Sequence, residues 1–348
     1  MRRFAPLVVA IALALALVAV PAGAQRRAPR DVTITLVTHD SFNVSKSLMQ
    51  AFTRRTGIHV KVLHSGDAGQ ALNQVILTKD HPLGDVLYGV DNTFLSRALA
   101  AGIFEAYRSP ALDNVPASYV LDARQRVTPI DRADVCVNDD KQWFADHRIR
   151  APKTLEDLAK PAYRGLLVVE NPATSSTGLA FLLATVAHFG NKGWPAYWSR
   201  LRANDVKVVD GWDQAWYDSF TAGSDHGDRP LVASYASSPP ATVSKKTGKA
   251  QAGTLLATCF RQIELAGVLK GTAHRSAARA LVDFMLSKAF QQDMPDQMYV
   301  FPVVAGAKLP PDFARFAQVA KKPLSLSPDQ VAKHRDEWIR QWTETVLR

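Results

Sequence analysis

From Asp31 onward the hydrophobic positions switch repeatedly between a period of two and a helical period. Val32-Thr33-Ile34-Thr35-Leu36-Val37 alternates and predicts a strand; Leu48, Ala51 and Phe52 then share one helical face, with Gly57 as the stop. Ile58 to Leu63 repeats the strand pattern, and after the turn His64 to Gly69 a helix follows on Ala71, Leu72, Val75 and Ile76. Asp85 to Val90 predicts a third strand, with a helix through Phe94, Leu95, Ala98 and Leu99 that stops at Gly102. Strand–turn–helix units in succession predict an α/β class with a parallel, doubly wound sheet. Between the first strand and its helix lies Thr38-His39-Asp40-Ser41-Phe42. A carboxylate, a hydroxyl and backbone N–H groups at the carboxyl edge of such a sheet are where ligands bind. Asp40, Ser41 or Asn43 would equally serve as a helix cap.

The middle of the chain predicts a second unit of the same kind. Val127 to Asp131 and Ala133 to Val137 read as extended connections leading out of the first domain. Thr154 caps a helix, with Asp157 three residues on. Leu166 to Val169 is a buried-type strand, followed by the hydroxyl-rich turn Glu170 to Gly178 and an apolar helix from Leu179 to about Phe189. Val206 to Val209 and Leu231 to Tyr235 are further strands, and Ala257 to Val268 leads back. Ser276 is a candidate cap for the next helix, and Ser327-Pro328 starts the last. The expectation is two lobes, residues 31–130 with 265–348 and residues 131–264, around a cleft at the hinge, where pockets concentrate.

Composition changes this picture in three places. Arg2 and Arg3, an apolar run from Phe4 to Val20 and the small residues Ala22-Gly23-Ala24 predict a secretory signal over residues 1–24, cut near Ala24. Without it 40 basic residues face 32 acidic ones, a net charge of +8, but they are dispersed and form no nucleic-acid-binding run. Cys136 and Cys259 are the only cysteines; in an oxidising compartment they invite one disulfide, and their strand-like flanks make it feasible. No Cys/His ligand spacing occurs, so neither a metal site nor a cofactor is expected.

The candidate chemistry sits in four turns: Asp40-Ser41, Asp67-Ala68-Gly69, Thr174-Ser175-Ser176 and Ser237-Ser238, with Trp212 and Tyr235 near the last two in sequence. Hydroxyls and N–H groups at helix starts suit an anion, while carboxylates and aromatic faces suit a cation. The same residues are also ordinary turn formers and core aromatics.

Thr38-His39-Asp40-Ser41-Phe42, Gly89-Val90-Asp91-Asn92, Asn171 to Leu179, Gly211-Trp212, Ser234 to Pro239 and Phe301-Pro302-Val303 occur in an order and at spacings that resemble the periplasmic thiamine-binding proteins of thiamine ABC importers. The resemblance runs from about Asp31 to the C-terminus. It implies a type II periplasmic-binding-protein fold that closes on thiamine or its mono- or diphosphate and delivers it, as a monomer, to a membrane permease. It implies that Tyr235 faces the thiazolium, that Asp67, Ser176, Trp212 and Ser238 lie on the phosphate side, and that Asp40, Ser41 and Asp131 supply polar contacts, with Ser175 beside them. This chain departs from the pattern at His39 (usually Tyr), at Ala68 (usually Gly), at Arg132-Ala133 (usually Tyr-Gly) and after Phe42, where a Trp is missing. Two alternatives remain open: a thiaminase-like enzyme of the same fold using Cys136, and a binding protein for iron, a polyamine or a phosphonate.

Overall fold

In the computed structural model, which describes residues 31–348, the first three strands form where the alternation placed them: β1 (Val32–Thr38), β2 (Ile58–His64) and β3 (Val86–Asp91). Helices α1 (Lys46–Thr56), α2 (Ala68–Leu77) and α3 (Leu95–Ala101) intervene. The expected signal peptide lies outside the described residues. β1 runs parallel to both neighbours, from Val32 opposite Ile58 to Thr38 opposite His64 on one side and Leu36 opposite Val86 on the other. Gly57 and Gly102 end α1 and α3 in the left-handed conformation that glycine adopts without cost.

Six strands follow: β4 (Thr128–Asp139), β5 (Leu167–Glu170), β6 (Lys207–Val209), β7 (Leu231–Tyr235), β8 (Leu255–Val268) and β9 (Phe301–Pro302). The remaining helices are α4 (Lys141–Asp146), α5 (Leu155–Leu158), α6 (Ser176–Ala203), α7 (Arg275–Met285), α8 (Lys288–Met298), α9 (Pro311–Phe316) and α10 (Pro328–Val346). Two halves of the sheet stand on parallel strands, β2-β1-β3 in one and β7-β5-β6 in the other. Between them run β8 and β4, the two extended connections, paired antiparallel from Thr128 opposite Ala266 to Val137 opposite Leu255. One mixed sheet, ordered β2-β1-β3-β8-β4-β7-β5-β6 with β9 on β4, therefore passes through both halves. Cys136 and Cys259 are joined by a disulfide across the irregular stretch of this β4–β8 pair.

Helix α10 lies against both halves. Its Trp342 meets Trp198 of α6 edge-on at 5.4 Å, and its Arg335 guanidinium covers Phe94, just before α3, at 4.8 Å.

Three local expectations need correction. The cap position of α1 is Ser45, so Asp40, Ser41 and Asn43 do not cap it; Ser45 binds Asp293 of α8 instead. Ser276 lies inside α7, whose cap position is His274. Helix α6 does not finish at Phe189: Gly190, at φ 68°, breaks it, and helix resumes to Ala203 because Trp194, Tyr197, Trp198 and Leu201 supply a second buried face.

Candidate functional site

At the carboxyl end of β1 the chain turns sharply, and its side chains part company. His39 is buried against β3, where Gly89 sits at φ 106°; a Cβ there would come within 2.5 Å of the imidazole, so only glycine lets the ring in. His39 Nε2 lies 3.4 Å from Glu264 Oε1, and Nδ1 is 2.9 Å from Ser41 Oγ. Asp40 is exposed and accepts the Gly66 N–H at 3.0 Å, which ties the turn after β1 to the turn after β2.

Behind this turn the three adjoining strands bring buried acids together. Asp91 of β3 and Asp131 of β4 are each registered opposite Glu264 of β8. Tyr88 donates to Asp131 at 2.6 Å and reaches Glu264 at 3.0 Å. Carboxylates this close and this buried cannot all ionise. Burial, and then the Glu264 charge, push Asp131 well above the usual carboxylate range. Burial alone would also raise Glu264, but the neighbouring imidazole outweighs it and holds Glu264 low. His39 is shifted up in turn: burial opposes its charge, and Glu264 more than compensates. His39 and Glu264 thus favour each other's charged forms, while Asp131 is held toward its neutral form. Asp91, desolvated despite accepting from Thr93 and Phe94, is raised to about 7. Arg132, next to Asp131, points to the other face of β4 and lies over Phe301 at 4.8 Å and Tyr119 at 5.8 Å.

A cavity opens in front of this group, lined by His39, Ser41, Trp212, Tyr217, Tyr235, Glu264 and the segment Gln297 to Val300. Trp212 stacks on Trp216 at 5.6 Å and meets Tyr217 edge-on at 5.6 Å and Tyr235 at 6.1 Å. Its Nε1 donates to Ser234 Oγ at 2.8 Å, and Ser234 in turn contacts Ser238 at 3.1 Å. Tyr299 enters from the end of α8 at φ 57°, a left-handed conformation that is uncommon for a residue of this size.

A second cavity shares Ser41 and Trp212 with the first and is also lined by Asp40, Asp67, Gln70, Asp210, Gly211, Asp213 and Gln214. Here the halves touch: Asp67, the N-cap of α2, accepts the Ala68 N–H and, across the cleft, the Trp212 N–H at 2.8 Å. The Gly69 and Gln70 N–H groups donate to the Thr174 carbonyl at 2.8 and 3.3 Å.

Asp40, Ser41, Asp67, Trp212 and Tyr235 thus line the two cavities. Asp131, Ser175, Ser176 and Ser238 are buried behind them. Ser175 caps α6, Ser176 bonds Gln262 at 3.2 Å, and Ser238 bonds Ser234. The sequence marks His39 only as a departure from the family pattern and does not point to Tyr217, Asp213, Glu264 or Tyr299 as site residues. For Glu264 there is a signal: a carboxylate within the apolar run Ile263 to Val268 has to be paired once buried. Among the described residues no group of three or more His, Cys, Asp or Glu is placed to hold a metal ion.

The model of a family described as bacterial extracellular solute-binding proteins matches residues 81–321. The chain belongs to this family. As a solute-binding protein it is similar to the thiamine-binding periplasmic protein of Escherichia coli, 28% identical over 322 residues that cover 90% of this chain and 94% of that one. The thiamine-binding periplasmic protein of Brucella suis is also 28% identical, covering 91% and 92%. Iron uptake protein A2 of Synechocystis is 26% identical, covering 87% of each. A solved periplasmic thiamin binding protein superposes with a TM-score of 0.80 at 26% identity, covering 91% of this chain and 96% of that one. The ferric binding protein of Campylobacter jejuni, at 18% identity, shares the fold with a TM-score of 0.72.

Proposed function

We propose that this solute-binding protein is the periplasmic receptor of an ABC importer, a monomer that captures thiamine or its phosphates and presents them to a membrane permease. In this reading residues 1–24 are the export signal. Residues 31–130 with 265–348 form one lobe, residues 131–264 form the other, and β4 and β8 serve as the hinge. The observation that carries it is the box of rings around the cavity in front of His39, with Glu264 in its wall. Trp212, Tyr217, Tyr235 and Tyr299 offer faces and edges to a flat cation, whose positive charge the ring faces attract. Tyr217 and Tyr299 offer the aromatic surface that the missing Trp after Phe42 leaves to others. Binding without turnover belongs to the same reading, since the disulfide holds the Cys136 sulfur that a thiaminase-like route needs free.

Iron is the second reading, favoured by the likeness to iron uptake protein A2. Equilibrium dialysis of the purified protein against thiamine, ferric citrate and spermidine separates them. Retention of thiamine at one equivalent, with neither competitor displacing it, is the expected result. Retention of iron in place of thiamine removes the proposal.

A further inference from the structure

Of the side chains that line the ring box, only His39 can carry positive charge; no Lys or Arg joins them. The imidazole is fixed in place. Gly89 leaves the space it occupies, Tyr88 packs against it at 5.5 Å, and His64 Nδ1 of β2 donates to the His39 carbonyl at 3.1 Å. Nε2 lies 3.4 Å from Glu264 Oε1, within ion-pair reach, yet has no hydrogen-bond partner among the described residues. Nδ1 lies 2.9 Å from Ser41 Oγ, and Ser41 is half-buried and lines both cavities, which gives a proton on the ring a route to water. Acids face His39 from other elements: Glu264 from β8, Asp67 from the start of α2 and Asp213 from the turn after β6. Asp131 of β4 and Asp91 of β3 stand opposite Glu264 in the sheet. The tyrosines of the wall stay neutral, since burial pushes the hydroxyls of Tyr217, Tyr235 and Tyr299 up.

The His39 proton and a cationic ligand therefore compete for one carboxylate, Glu264. Resting on the proposed function, we infer that His39 is a specificity residue of the ring box: a fixed positive charge enters as the imidazole gives up its proton, which passes to solvent and leaves Glu264 facing the ligand. Two positive charges beside one buried carboxylate repel at short range in a partly desolvated site. The linkage is reciprocal: thiamine lowers the affinity of His39 for its proton by the same factor as the proton lowers the affinity for thiamine. Burial works against that proton and Glu264 more than restores it, so the free imidazole titrates above its ordinary 6.5. Affinity for thiamine accordingly rises with pH through this titration and levels off beyond it.

Calorimetric titration with thiamine at one ionic strength, in two buffers of different ionisation enthalpy from about pH 6 to about pH 8.5, counts the protons exchanged. The expected result is net release of up to about one proton per thiamine, with affinity gaining at least about fivefold across the range. His39→Gln should release none and bind thiamine with one affinity at every pH. Asp91, raised to about 7, is a second group able to release a proton here, and Asp91→Asn should keep the release. Binding by the wild type without proton release, or release that survives in His39→Gln, overturns the inference and leaves the proposed function standing. Should His39→Gln not fold, Asp91→Asn decides: release lost in that variant assigns the proton to Asp91 and overturns the inference, and release kept supports it. If thiamine binds at no pH, the proposed function fails and the proton exchange with it.

Discussion

Trp212 lines both cavities while its indole stacks on Trp216 and its ring nitrogen bonds Ser234, so its orientation is set before any ligand arrives. Tyr235 is held at the end of β7, opposite Val135 of β4. If these rings supply the contact face, Tyr235→Ala and Trp212→Ala each weaken thiamine binding more than tenfold, about 1.4 kcal/mol or above. Fluorescence titration checks this, with Trp212→Phe as the variant that keeps an aromatic ring while losing the Ser234 bond and part of the stacking area; wild-type affinity in both alanine variants would misplace the site. A second residue-scale prediction concerns pH. Asp91, raised from 3.8 to about 7, keeps a proton in the folded chain that the unfolded chain has already released. Its contribution to stability is therefore lost as pH rises between those two values. His39 acts in the same direction, its raised value giving stability that fades as pH climbs above its ordinary 6.5. Urea midpoints should accordingly fall from about pH 5 to pH 8, and Asp91→Asn should flatten the slope. A midpoint that climbs over this range contradicts the assignment. At this scale the sequence is readable where chemistry is local: the Thr154 cap and its Asp157 partner follow from spacing. It is unreadable where a contact joins distant segments. His39 against Glu264 depends on β1, β3 and β8 being neighbours, and nothing near Tyr299 announces its left-handed turn.

Elements follow the same division. Strands β1 to β3 and helices α2 and α10 form where periodicity and caps place them, because each carries its own signal: alternation, a helical period, or a Ser cap with proline in the first turn. Helix α8 has no such legibility, since Pro295 interrupts its pattern and its burial against Phe284 and Ile130 is tertiary. Strands β4 and β8 are visible as extended runs, but their mutual pairing is not, because register between remote strands leaves no local trace. The disulfide between them is the clearest test of that pairing. Cys136→Ser with Cys259→Ser should lose about 2–5 kcal/mol in urea unfolding. An unchanged midpoint would show that the β4–β8 pair does not depend on the bond.

For the molecule as a whole, the decisive feature is that the two halves meet through backbone groups at the cleft. Trp212 N–H donates to Asp67, and Gly69 and Gln70 donate to the Thr174 carbonyl, so a ligand bound between the halves adds to contacts already made. Ligand bound only by the folded chain stabilises it by about 2.7 kcal/mol at a hundredfold excess over Kd, which a thermal melt with thiamine reads as a raised Tm. The opposed charges of surface and cleft, a basic exterior and an acidic cavity, also belong to this scale and are invisible in the net charge. The central claim is that the cavity between Trp212, Tyr217, Tyr235 and Tyr299 holds a cationic ring. A crystal structure of the protein grown with thiamine tests it most directly. The thiazolium is expected in that cavity, within about 6 Å of the Tyr235 and Trp212 ring centroids. Thiamine bound elsewhere on the protein, with this cavity closed to it, would contradict the account.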